Sequence, residues 1–202
     1  MAIEFHLLTP ISREAWLNPE TVKRIIHLLV ETGMAMFDAP VTVWKFEYSE
    51  DEGGFLDDDV EYASLMELHD DIDRLDLDRV NFVIGHSHYS YEHKVLAREG
   101  RLPGINLLTA QLKQHMDTFC QAHGIPPAID VFGHVNIGLI NMGGEDGVGE
   151  TRGVGIYCDG NVAQSMEDAG FLKQLDSGVG IYGLFEKIAA ITGEDVAVQF
   201  RY

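Results

Sequence analysis

Residues 80–93, VNFVIGHSHYSYEH, carry a short apolar run from Val80 to Ile84 into Gly85 and then His86-Ser-His88. The run is brief and rich in β-branched and aromatic residues, which predicts a strand. On an extended backbone residues i and i+2 point the same way, so His86 and His88 are placed to chelate one ion. Gly85 lets the chain bend just before them. A bare His-x-His also arises by chance, and solvated or core histidines are the competing reading. What comes next decides the class. Ile105, Leu108, Leu112 and Phe119 recur at helical spacing and are closed by Gly124 and Pro126. A strand, two histidines and then a helix place the chain among α/β or α+β proteins with a mixed sheet flanked by helices.

The flanking sequence extends that alternation. Ile3 to Leu8 alternates as a first strand, and Asn18-Pro19 starts a helix with a cap followed by proline at its first position. Val22, Ile25, Ile26, Leu29 and Val30 line one face of that helix, which should stop near Gly33. Val41 to Tyr48 reads as a strand, and "SEDEGGFLDDD" after it reads as a polar loop. Leu65, Leu68, Ile72 and Leu75 predict a second helix with Glu67, Asp70, Asp71 and Asp73 on its outer face. Strands are expected over Ile129–Asn141 and Gly153–Cys158, joined by the glycine-rich "GGEDGVGETRG" as a long hairpin loop. Helical segments near 161–175 and 181–191 and a last strand, "DVAVQF", finish the chain. No linker divides it, so one domain over 1–202 is expected, with 161–202 as a C-terminal helical and strand extension.

Composition narrows the partners. The chain holds 33 acidic against 14 basic residues, a formal net charge of −19. Such a surface repels phosphate backbones and anionic lipid, which argues against nucleic acid and membrane and suits a basic protein partner or simple solubility. Cys120 and Cys158 have no CxxC spacing and predict a reducing compartment with both thiols buried. The start, MAIEFHLLTP, lacks a basic region followed by a long apolar run, and the expectation is a cytoplasmic protein.

Several families use His-x-His, and the surroundings separate them. His86-Ser-His88 with Glu92 and Gly100 approaches a cupin pattern, implying an iron oxygenase, but a cupin continues in strands where residues 105–122 are patterned as a helix. "IGHSH" also copies the end of calcineurin-like phosphoesterases, whose earlier Asp-x-His and Gly-Asp motifs are absent. More of the chain resembles the JAMM (MPN) metalloprotease family. The helix from Asn18 ends in "ETGMAMF" with Glu31, "FVIGHSH" follows a strand, and an acid, Glu99, stands about ten residues beyond the second histidine. Leu96 occupies the family's serine position and Tyr89 its proline position. The resemblance implies a three-layer, cytidine deaminase-like arrangement and a zinc-dependent hydrolase that cleaves a peptide or isopeptide bond. It implies zinc held by His86, His88 and Glu99, with Glu31 as the general base that moves the proton of a metal-bound water. Glu92, His93 and His134 remain open as the third ligand. A degenerate, non-catalytic member engaging a basic protein partner is the reading from a different class.

Other motifs have ordinary explanations. "GVGIYG", 178–183, fits GxGxxG but lacks the preceding strand a dinucleotide site needs, and reads as a tight turn beneath the last helix. Asp70, Asp71 and Asp73 lack calcium-loop spacing. Cys120, on an apolar helix face, and Cys158, at a strand end, do not read as activated nucleophiles.

Overall fold

The structure, a computed structural model, describes residues 4–49, 54–84, 95–96, 98–126, 132–141, 149–157, 160–171, 174, 180–195 and 197–201. Among these the strands are β1 (Glu4–Ile11), β2 (Val41–Ser49), β3 (Gly54–Tyr62), β4 (Val80–Ile84), β5 (Phe132–Asn141), β6 (Gly149–Tyr157) and β7 (Ala197–Arg201). They form one sheet in the order β3-β2-β4-β5-β6-β1-β7. Every described pairing is antiparallel. The expected mixed sheet is thereby corrected. The chain neighbours β2–β3 and β5–β6 pair directly, which short connections permit only between antiparallel strands.

The helices are α1 (Arg13–Trp16), α2 (Pro19–Glu31), α3 (Leu65–Asp71), α4 (Pro103–His123), α5 (Gly160–Asp168) and α6 (Gly180–Thr192). Two 3-10 turns, Ile72–Arg74 and Leu77–Arg79, carry the chain from α3 to β4. α6 touches both α2 and α4 and lies against β1, while α4 lies against β5. One core gathers Ile25, Ile26 and Leu29 of α2, Phe119 of α4 and Phe185 of α6 with Val41 and Val43 of β2. All six described helices send residues into this one core, Trp16, Leu68 and Met166 among them. The described architecture is an α+β arrangement of helices packed on an antiparallel sheet.

Local chemistry explains the elements. The Asn18 side chain accepts from the Glu20 amide at 3.0 Å and Pro19 opens α2, which satisfies one donor that the helix start leaves free. Val22, Ile25, Ile26 and Leu29 are buried at 3.6-residue periodicity. Trp16 is buried and its indole N–H donates to the Leu77 carbonyl, tying α1 to the second 3-10 turn. α4 ends with Gly124 in the left-handed conformation, its N–H returning to Cys120 and Gln121.

Three local expectations change. The "polar loop" after β2 contains a strand: β3 pairs with β2 from Val41↔Tyr62 to Ser49↔Gly54. Cross-strand pairing there overrides the low strand preference of three aspartates. The expected helix through Leu75 ends at Asp71 and continues as 3-10 turns. Gly180 to Gly183 of "GVGIYG" open α6, so the described part of that segment is helix where a turn was expected. β7 pairs with β1 and α6 packs on α2, so residues 180–201 belong to the same sheet and core.

The His115 Nε2 atom on α4 is buried without a hydrogen-bond partner among the described residues, and burial pushes its imidazole below the ordinary 6.5. The unfolded chain therefore takes up a proton at this residue before the folded chain does, so its contribution to stability is present above about pH 6.5 and declines below it. We expect His115→Phe to flatten the fall in urea stability between about pH 6.5 and 5. An unchanged pH slope in that variant would refute this account.

Candidate functional site

The connection from α2 to β2 and the start of α4 meet at one end of the sheet. The α2 end is closed by Thr32, whose hydroxyl donates to the Leu28 carbonyl at 2.7 Å, and by Gly33 at φ 71°. The Gly104 N–H in the first turn of α4 donates to the Gly33 carbonyl at 3.1 Å. The two backbones cross so closely that a Cβ on Gly104 would stand 2.0 Å from the Thr32 carbonyl oxygen. Only glycine fits there.

Beside this crossing lies an open cleft of about 670 Å³, with Glu31, Met36, Phe37, Asp38, Arg101 and Leu107 among its lining residues. Its wall is mainly apolar, and Leu107 is 58% exposed. Arg101 Nη2 meets Asp38 Oδ2 at 3.0 Å on the rim, where both side chains are exposed. Such a pair orients groups more than it stabilises the fold.

Glu31, the expected general base, ends α2, is exposed and lines this cleft. Val83 of β4 pairs with Thr42 of β2, so β4 finishes at the end of the sheet where β2 begins. His86 follows that strand two residues on in sequence; His86, His88, Tyr89, Glu92 and His93 lie outside the described residues. Glu99 is exposed at the close of a helical turn, where its N–H donates to Val95 at 2.9 Å and Gly100 turns the chain at φ 73°. Leu96, at the position of the family's serine, is buried in the core and offers no oxygen. Position 134 falls in β5 beyond Ile137, the partner of Ile84, which puts it at the end where β4 finishes. Among the described residues no three His, Cys, Asp or Glu side chains gather to hold a metal. Burial, with Asp117 nearby, pushes the Cys120 thiol up, the reverse of what a nucleophile requires. Cys158 lies outside the described residues.

A second feature lies at the far edge of the sheet, where β3 is the terminal strand. Residues 57–78 contain ten acidic side chains, with Arg74 as the one Lys or Arg. Glu61, Glu67, Asp70, Asp73, Asp76 and Asp78 are all exposed. Tyr62, at the end of β3, donates to Asp71 Oδ2 at 2.9 Å, and burial, helped by that carboxylate, pushes its phenol up to about 12. Lys23 of α2 reaches across to Asp73 and Arg74 to Asp71. The sequence predicts a loop and a solvated helix face over this stretch; strand pairing and helix packing, which are not local signals, join the two.

Comparison with protein families, curated proteins and solved structures finds no match to the chain. No helix among the described residues is long and apolar enough to cross a membrane.

The Gly33–Gly104 crossing builds the cleft, so Gly104→Ala should cost at least about 1–3 kcal/mol by overpacking. Gly100→Ala is the contrast: a Cβ at Gly100 meets nothing within 4 Å, leaving only the strain of its positive φ. Urea denaturation of both variants checks this, and equal or smaller loss at Gly104 would contradict it.

Proposed function

We propose that this protein is an acidic binding protein that presents the β3 edge and the following α3 segment to a basic protein partner. One observation carries the reading: ten carboxylates fall within residues 57–78, where a terminal strand and the helix after it pack together. Like charges crowded this closely along the chain repel one another, and residues 57–78 themselves hold one Lys or Arg, Arg74. A partner bearing Lys and Arg relieves that repulsion on binding. It is also steered toward the edge by the long-range field, an effect that weakens as salt screens it.

The test uses the partner recovered by cross-linking in source cells and then purified. Its affinity should fall at least about tenfold between low and physiological salt, as expected when several ion pairs form. Neutralising Glu67, Asp70, Asp73 and Asp76 to Gln or Asn should weaken binding similarly while raising the melting temperature of the free protein. Binding indifferent to both salt and neutralisation would sink the proposal.

A second reading, a zinc-dependent hydrolase of JAMM type acting on a peptide or isopeptide bond, is favoured by the place of Glu31. Its carboxylate lines an open cleft near the end of the sheet that β4 reaches just before His86 in sequence. In this reading His86 and His88 hold zinc, Glu99 or His134 is the further ligand, and Glu31 moves the proton. The antiparallel sheet, the buried Leu96 and the exposed turn at Glu99 count against it. An iron oxygenase of cupin type has only His86, His88 and Glu92 behind it. Metal analysis of the purified protein separates these outcomes: about one zinc, lost in His86→Ala/His88→Ala, with peptidase activity reduced at least about 100-fold in Glu31→Gln, supports the hydrolase. Absence of bound metal removes both enzyme readings.

A further inference from the structure

His27 on α2 and His69 on α3 come from separate helices, yet their rings meet with centroids 4.9 Å apart and planes at 86°. Phe37 stands edge-on to both, at 5.3 Å from His27 and 5.9 Å from His69. Asp70 Oδ1 lies 3.3 Å from His69 Nδ1. The geometry points to a site for one borderline divalent ion, such as Zn²⁺, held by His27 and His69 with Asp70 behind His69.

The separation suits the chemistry. With metal–nitrogen bonds of about 2.0–2.1 Å, two imidazoles on one tetrahedral ion have ring centres roughly 5 Å apart. The near-perpendicular planes rule out face-to-face stacking, in which the ring edges would run side by side. With Asp70 accepting from His69 Nδ1–H, the tautomer leaves Nε2 as the nitrogen with a free lone pair.

The frame around the pair is firm on one side and open on the other. Ile26 and Leu68, next to each histidine in sequence, are fully buried and anchor the two helices. Phe37 covers one side of the rings. His27 is exposed and the His69 side chain retains 18% exposure, so an ion reaches the site from solvent. Glu67, Asp71 and Asp73 nearby raise the local cation concentration. Among the described residues no third ligand joins the pair, and water fills the remaining positions. Imidazole donors select zinc, nickel or copper over magnesium and calcium. The site shares Asp70 with the acidic edge but does not require that edge to dock a partner, and it uses neither His86 nor His88.

The experiment is calorimetric titration of the full chain with zinc chloride in a His86→Ala/His88→Ala background, which removes the other histidine pair. One zinc should bind, and the ring-proton resonances of both His27 and His69 should shift on its addition. His27→Phe and His69→Phe keep a ring in the cluster, and each should weaken binding at least about 100-fold; Asp70→Asn should weaken it about 10-fold. The inference is overturned if the background protein takes up no zinc, if its His27 or His69 resonances stay unmoved, or if either phenylalanine substitution leaves the affinity intact. Partner binding that survives His27→Phe, a substitution on α2 outside the acidic edge, leaves the acidic-edge reading standing whichever way the metal result falls.

Discussion

The contact between the end of α2 and the start of α4 governs the geometry of one whole end of the molecule. Gly104 N–H donates to the Gly33 carbonyl at 3.1 Å, and no side chain fits between these backbones. A hydrogen bond of this kind adds only about 0.5–1.5 kcal/mol net, but its steric demand is absolute. Beside this contact Met34 and Ala35 turn into the core, both returning their N–H groups to the Leu29 carbonyl. Half-buried Phe37 is set beside His27 and His69, and Glu31 lines the cleft. Both features with chemical potential at this end thus inherit their position from a pair of glycines.

The sheet imposes the complementary constraint. An antiparallel sheet needs no crossover loops between neighbouring strands. β2 begins and β4 finishes at the same end. That juxtaposition arises without any parallel βαβ unit among the described strands. An arrangement that looks like a family motif in one dimension is therefore compatible with a different sheet. This is why spacing along the chain carries weight for local chemistry and much less for architecture.

What was legible in the sequence follows the range of the forces involved. The α2 start is written in Asn18-Pro19, and its buried face in the spacing of Val22, Ile25, Ile26 and Leu29; both are local signals, and the structure has them. β4 was equally plain from five apolar-rich residues. β3 was not, because Asp57, Asp58 and Asp59 have poor intrinsic strand preference and only their partners in β2 hold them extended. The direction of the sheet was hidden for the same reason, since it depends on pairings between distant segments. At the candidate sites, Glu31 could be singled out as an acid at a helix end, whereas the His27–His69 pair could not. Each looks like an isolated polar residue on its own helix, and only tertiary packing brings their rings together.

The acidic edge separates two explanations that composition alone leaves merged. A terminal strand needs protection from pairing with other chains, and one or two charges on it are enough for that. The three aspartates of β3 meet that need. The acidity, however, continues through Glu67, Asp70, Asp71 and Asp73 on α3 and its first 3-10 turn and on to Asp76 and Asp78, segments with no unpaired strand edge to guard. Nor does general solubility require the charges to be gathered, because dispersed carboxylates repel other molecules equally well and one another less. Crowding them costs stability through self-repulsion, and Lys23 and Arg74 each meet one of these carboxylates. A local excess beyond both edge protection and solubility is the feature on which the proposed cationic partner rests.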